Sequence, residues 1–258
     1  IWSRLVGSEM CIRDRGKALH HKVQKDALLN ALTTFDDAIK ADEKNGQAYA
    51  WKACALGQGL FRGYLEEDFN TVWKQAEDNL KKARELNEND FEVHRLMSEV
   101  SLAMKDFRAA QRHSKICYEQ VPNDPRVLSV YGEVCLRTGK VDEGLDAVKL
   151  ALEIDPVAQG KTNADPRHAA VIFGYYMARD KEGCLEQINN LEEIDFKSWL
   201  LTTKICRDEE HEFSNLDWFQ EGKKLFSDKD FEKEVQDFRL NNDSATETLI
   251  SFAKELFS

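Results

Sequence analysis

The stretch "FEVHRLMSEVSLAMKDFRAAQRHSKICYEQVPND", residues 91–124, is followed at once by "PRVLSVYGEVCLRTGKVDEGLDAVKLALEIDPVA", residues 125–158. When the second is laid over the first, small residues and a proline coincide at a spacing of 34 residues. The coinciding pairs are Ser98 with Gly132, Ala110 with Gly144, Cys117 with Ala151, and Pro122 with Pro156. The chain therefore contains an internal repeat, and the repeat decides the fold class.

Small residues at these positions have a physical role in a pair of helices. Two antiparallel helices approach closely only where their facing side chains are small. We therefore expect Gly132 in the first helix of its repeat to face Gly144 in the second. The proline after each second helix ends it, because proline cannot donate a backbone hydrogen bond.

This period and these anchors resemble the tetratricopeptide repeat (TPR). The resemblance implies an all-α fold, a right-handed α-solenoid of TPR helix pairs that spans residues 16–207 and ends in a C-terminal helical cap at 208–258. The predicted units are helix B of a truncated repeat at 26–40, a repeat with an insertion at 47–88, repeats 91–124 and 125–158, and a degenerate repeat at 165–195.

Two local details of this prediction depend on single residues. In the inserted repeat, Ala55 takes the small position of the first helix and Ala76 that of the second. The insertion, around 57–70, includes "GQGLFRGY", which we interpret as a flexible joint because it lacks the sequence of a phosphate-binding loop. In the tail, Ser244 and Glu247 predict a capping box at the start of the last helix.

Residues 1–15 do not fit the repeat. Residues 5–15, "LVGSEMCIRDR", match at every position the translation of the transposon end and primer tail used in tagmentation sequencing. We therefore interpret 1–15 as a non-native, adapter-derived segment and exclude it from fold reasoning. On this interpretation the gene continues upstream of Gly16, and the chain is a C-terminal fragment.

Composition argues against several function classes. The formal net charge of −11 disfavours binding to nucleic acid and to anionic membrane surfaces, and no apolar run is long enough for a membrane span. The six cysteines are widely spaced, which favours a reducing compartment and a cytoplasmic location. We find no catalytic constellation, no cofactor motif and no metal-binding spacing, although His94 and His113 could face each other across a helix pair.

The remaining candidate site is the concave groove of the repeat array. In TPR proteins the groove is lined mainly by the first helix of each pair, and this carries over to Lys52, Glu92, Arg95, Glu99, Arg126, Ser129, Glu133 and Arg137. Mixed charge beside apolar residues suits a protein or peptide ligand. The alternative, that these side chains are merely solvated, stays open. Charge reversal at Arg95 and Arg137 is expected to weaken partner binding without unfolding the protein.

The repeats and the inserted segment resemble the C-terminal TPR region of bacterial class III adenylate and guanylate cyclases. In that family the catalytic domain precedes the repeats, so the resemblance implies an upstream domain of the same chain and a regulatory role for this part. A stand-alone TPR adaptor, or the TPR region of a winged-helix transcription regulator, is the alternative.

Overall fold

The computed structural model describes residues 2–258, and it describes side chains from residue 10 onward. This part of the chain forms fourteen α-helices and no β-strand, so the predicted all-α fold class is confirmed. The segment interpreted as adapter-derived, residues 1–15, lies mostly outside the residues whose side chains are described.

The helices divide between two compact units. One contains the residues up to Ser101 together with Arg112–Val121, and the other contains Leu102–Gln111 and Pro122–Ser258. The first six helices are α1 Trp2–His20, α2 Lys25–Ala41, α3 Gly46–Phe61, α4 Phe69–Leu86, α5 Phe91–Ala103 and α6 Phe107–Gln120. The next five are α7 Pro125–Arg137, α8 Val141–Ile154, α9 Asp165–Ala178, α10 Lys181–Ile188 and α11 Phe196–Asp208. The last three are α12 Asp217–Leu225, α13 Phe231–Gln236 and α14 Asp243–Leu256.

Within the first unit, α1 packs on α2, α2 on α3, and α3 on α4, and α1 also contacts α3. Within the second unit, α7, α8, α9 and α10 pack successively, and α9 also contacts α7 and α11. Contact with the next helix and the next but one is the pattern of a helical repeat, in which each pair buries its apolar face against its neighbours.

The pair α7 and α8 shows the packing that the sequence predicts. A Cβ atom added at Gly132 would lie 2.8 Å from the carbonyl oxygen of Gly144 and 3.1 Å from the backbone nitrogen of Val148. A Cβ atom added at Gly144 would lie 2.9 Å from the carbonyl oxygen of Gly132. The predicted facing of Gly132 and Gly144 is therefore confirmed, and their backbones are in contact because both residues lack a side chain.

The register predicted for α3 is wrong by two residues. Ala53, not Ala55, shares a buried cluster with Ala76 of α4, and Leu56 belongs to the same cluster. Ala55 lies instead among buried residues that include Phe35 of α2. The predicted flexible joint is also wrong in part, because residues 57–61 continue α3 and only 62–68 lie between helices.

The C-terminal tail forms α12, α13 and α14, which all contact α11. Their core is aromatic: Trp199 of α11 lies fully buried and stacks on Phe219 with ring centres 5.7 Å apart. The predicted capping box is wrong, since the side chain of Asn242 accepts the hydrogen bond from the backbone N–H of Ala245 at 3.0 Å. Asn242 has the extended backbone of an N-cap, whereas Ser244 already lies in the first turn.

Candidate functional site

Arg95 is the centre of the charged residues predicted for the groove in the first unit. It is 4% exposed, and it donates hydrogen bonds to Glu92 Oε2 at 3.0 Å and to Glu99 Oε1 at 2.6 Å. Burial alone would lower the pKa of Arg95, but the two carboxylates raise it above its ordinary value. Arg95 is therefore a buried cation that is held by two carboxylates, and replacing it by an acid would destabilise the fold. This burial argues against the expectation that charge reversal here leaves folding intact.

Trp51 joins this network and was not among the predicted site residues. Its ring centre lies 5.4 Å from the Arg95 guanidinium and 5.0 Å from Lys17 Nζ, both within the range of cation–π attraction. His20 and His21 meet the same ring edge-on at 5.6 and 5.5 Å. The indole Nε1 of Trp51 and the Nδ1 of His20 are buried and have no hydrogen-bond partner among the described residues. Burial lowers the pKa of His20 to about 4, with the charges of His21 and Arg95 adding to the effect.

Lys52 lies outside this network. Its ammonium forms a 2.6 Å ion pair with Asp36 on α2, the second helix of the preceding pair. The structure thus brings together Glu92, Arg95 and Glu99, whereas Lys52 pairs with a residue of α2. Because the register of α3 differs by two residues from the predicted one, the place of Lys52 in the groove stays a prediction.

In the second unit, Arg126 and Ser129 lie near the start of α7. Arg126 forms a forked pair with Asp124, the residue that caps the helix, with contacts of 3.1 and 2.6 Å. Ser129 accepts a hydrogen bond from the buried guanidinium of Arg167 on α9, which also donates to the carbonyl oxygen of Asp155 at 3.1 Å. These side chains connect the first helices of consecutive pairs.

At the other end of α7, Arg137 binds a segment of the chain's own backbone. Its guanidinium pairs with Glu133 one turn earlier and donates from Nε and Nη2 to the carbonyl oxygen of Phe238 at 3.3 and 3.1 Å. Phe238 follows α13 and is buried, so the tail covers a side chain that was predicted to line the groove. Arg137 is only 9% exposed, and its burial argues against the expectation that it tolerates charge reversal, for the same reason as at Arg95.

Two cations flank the fully buried ring of Phe173 on α9. The Arg137 guanidinium lies 4.5 Å and Lys197 Nζ lies 4.0 Å from the ring centre. Burial lowers the pKa of Lys197 to about 8, and the positive charges of Arg137 and Arg239 contribute in the same direction. Burial raises the pKa of Glu133, but Arg137 and Lys197 outweigh it, so this pKa lies below its ordinary value.

A cleft of about 470 Å³ lies beside this cluster. Its walls come from α7, from α9 and from the segment that leads into α14. The lining includes Leu136, Arg137, Phe173, Tyr176, Met177 and Leu240. The cleft also contains two arginines, Arg137 and Arg179, and the polar residues Thr138, Asn241 and Asn242. Its apolar part suits an apolar side chain of a partner.

The cysteines and histidines do not form a reactive or metal-binding centre in the described part of the chain. Among residues 10–258, whose side chains are described, no group of three or more histidine, cysteine or acidic side chains could hold a metal ion. His94 Nδ1 lies 2.8 Å from His113 Nδ1, which confirms that the two residues face each other. His94 Nε2 donates to the carbonyl oxygen of Glu88 at 2.7 Å, so we infer that His94 Nδ1 accepts a hydrogen bond from the Nδ1–H of His113 and that the pair is a packing contact. Burial raises the pKa of Cys54 and Cys117 to about 12, which keeps both thiols neutral.

Across the same residues, no helix combines the length and apolar character that a bilayer span requires.

Comparison with known proteins relates the chain to others by fold. No protein-family model matches the chain, and no curated protein matches it significantly. Among solved structures, PilF of Pseudomonas aeruginosa superimposes with a TM-score of 0.60 at 14% identity, over 90% of this chain and 98% of that one. PilW, a widely conserved type IV pilus biogenesis factor, superimposes with a TM-score of 0.60 at 12% identity, over 84% of this chain and 92% of PilW. TTC0263, a thermophilic TPR protein of Thermus thermophilus, superimposes with a TM-score of 0.53 at 18% identity, over 78% of this chain and 99% of TTC0263. The chain therefore shares the fold of TPR proteins.

Proposed function

We propose that this chain is a protein-interaction scaffold that holds an extended segment of a partner protein on the first helices of its repeats. The observation that carries the proposal is the contact between Arg137 and the carbonyl oxygen of Phe238. It is an example, within one molecule, of a side chain at a predicted groove position that binds a backbone carbonyl of a non-helical segment, here the turn after α13. Backbone carbonyls occur in every peptide, so this contact gives affinity, and the neighbouring cleft gives selectivity for an apolar side chain.

The first unit offers a second set of groups suited to a peptide. Glu99 is 38% exposed at its side chain, and it is oriented by the buried guanidinium of Arg95. A carboxylate held in place in this way can accept hydrogen bonds from a partner's backbone N–H groups at little cost in side-chain entropy. Because Glu99 and Glu133 are both paired with arginines, they repel an acidic ligand less than two unpaired carboxylates would.

The wider context of the scaffold is also a proposal. The resemblance to the C-terminal region of bacterial class III cyclases supports a regulatory array that follows a catalytic domain in a multidomain signalling protein, with no enzyme in this part. All six cysteines are free thiols, which supports work in a reducing compartment such as the cytoplasm. Assembly of the gene upstream of Gly16 tests the context: a reading frame that starts within one helix of Gly16 contradicts the cyclase hypothesis.

Peptide binding is tested with a random peptide library selected on the whole chain. The affinity of each selected peptide is then measured by calorimetry with Glu99→Gln, Arg126→Gln and the control Lys82→Gln, whose side chain is 48% exposed on α4. Loss of a hydrogen bond to a charged group should weaken binding about tenfold in at least one groove variant. The control should bind as the wild type does. Peptides that bind equally well to all three variants contradict the groove as the binding site.

A further inference from the structure

The segment between α3 and α4 is anchored on its inner side. Gly63 has a left-handed backbone with a φ of 65°, and the chain then turns back so that the N–H of Tyr64 donates to the carbonyl oxygen of Gly59 at 2.8 Å. The Tyr64 hydroxyl donates to the carbonyl oxygen of Val23 at 3.3 Å. Leu65 belongs to the apolar side chains packed on the cluster shared by α3 and α4. These contacts fix the segment, so residues on its outer side are held in place.

The outer side carries three aromatic rings in series. Phe61 ends α3 and Phe69 begins α4, and each is 50% exposed. The two rings meet edge-on with centres 6.5 Å apart, and Phe69 stacks on Trp73 one turn later, at 6.3 Å and 11° between planes. The indole N–H of Trp73 donates to Glu77 Oε1 at 2.7 Å, which fixes its orientation. We name Phe61, Phe69 and Trp73 the aromatic ladder. Large aromatic rings held half-exposed and rigid are typical of interface anchors.

Carboxylates surround the ladder. Residues 61–78 contain five acidic side chains and two basic ones, and all seven are exposed. Glu67 is held over α4 by a 3.1 Å hydrogen bond from Gln75, and Asp68 caps α4 through the N–H groups of Asn70 and Thr71. The acidic residues are Glu66, Glu67, Asp68, Glu77 and Asp78. Ring faces and carboxylates both attract cations, and neither attracts an anionic lipid surface.

From this combination we infer that the aromatic ladder and its carboxylates form a docking surface for a basic segment of a partner protein. Arginine or lysine side chains of that segment lie on the faces of Phe61 and Phe69, and their charges pair with Glu66 and Glu67. The surface is separate from the proposed groove, because it lies at the tip of the α3–α4 pair. It also assigns a role to the inserted segment, which the repeat alone does not need.

The test uses the whole chain and a short fluorescein-labelled peptide of alternating arginine and alanine, with binding measured by fluorescence anisotropy at low salt. The variant with both Phe61→Ala and Phe69→Ala keeps every charge of the surface. Loss of two exposed cation–π contacts should weaken binding about tenfold. The variant with Glu66→Gln and Glu67→Gln keeps both rings, and it should weaken binding and reduce its salt dependence. Leu225→Ala, at a side chain 56% exposed on α12, is the control and should leave the affinity unchanged.

Three results would overturn the inference. The first is equal affinity of the wild type and the double phenylalanine variant, with helix content verified by circular dichroism. The second is equally tight binding of a control peptide in which glutamate replaces every arginine. The third is a dimer of the wild type in sedimentation velocity that the double phenylalanine variant loses, with no difference in peptide affinity. That result would assign the surface to a second copy of this chain.

Discussion

Replacing Gly132 by alanine tests the helix contact on which the fold assignment depends. The added methyl group would lie 2.7 Å from Val148 Cγ1 and 2.8 Å from the carbonyl oxygen of Gly144. The second of these is a backbone atom, so α7 and α8 must move apart, and overpacking of this kind costs about 1–3 kcal/mol. The higher helix propensity of alanine stabilises the folded state by about 1 kcal/mol and offsets part of this cost. With the cost near its upper end, we expect a net destabilisation of about 2 kcal/mol.

Gly57→Ala is the matched control, because Gly57 is also helical but a Cβ atom there meets nothing within 4 Å. It should stabilise the protein by about 1 kcal/mol through propensity alone. In thermal melts followed by circular dichroism, Gly132→Ala should lower the Tm by about 4–8 °C and Gly57→Ala should raise it by about 2–4 °C. Gly132→Leu should lower the Tm further. Equal upward shifts for the two alanine variants would refute the close contact of α7 and α8.

Three further variants probe the tail and its contact with α7. Gly222→Ala should destabilise the protein by about 1–3 kcal/mol, because its Cβ would overlap the buried ring of Trp199, and near-ultraviolet circular dichroism should weaken with it. Lys197→Met should remove a pH dependence of the free energy of unfolding, because the pKa of Lys197 is lowered to about 8 in the folded state. Wild-type stability should therefore rise by about 1–2 kcal/mol between pH 8 and 10.5 relative to the variant, measured from urea midpoints. Arg137→Met should release the carbonyl of Phe238 and speed amide hydrogen exchange in residues 237–242, whereas unchanged exchange would show that Arg137 does not hold this segment.

The register of a repeat can be predicted from the sequence where its small anchor residues differ from their neighbours. It cannot be predicted where the neighbours are equally small. Gly132 and Gly144 stand out among larger residues, so a single register fits, and the structure has that register. In α3 a run of alanines offers several registers of equal quality: Ala48, Ala50, Ala53 and Ala55. Packing against α2 and α4 selects one of these registers, and the 34-residue period of the repeat does not predict that packing. The prediction that Lys52 lines the groove depends on that choice.

The contacts around the predicted site could not be predicted from the sequence for a different reason. Arg137 and Phe238 are 101 residues apart in the chain, and nothing in the repeat pattern links them. A groove position can be predicted from its place in a repeat, but its occupant depends on tertiary contacts of the tail. The aromatic ladder was missed because Phe61 and Phe69 lie in the insertion, where the repeat has no equivalent position to compare.

The contact between Arg137 and Phe238 has a consequence for how the two units bind partners. A ligand that uses Arg137 must first displace the carbonyl oxygen of Phe238, so its apparent affinity is lowered by the fraction of molecules in which the tail is released. Lys197, whose ammonium lies 5.9 Å from the ring of Phe238, is half-buried and carries a lowered pKa in the same place. Displacement of the tail would expose Lys197 to solvent and raise its pKa, so binding there should be linked to proton uptake above pH 8. A ligand of the aromatic ladder displaces no such segment, and its affinity should show no proton linkage in that range.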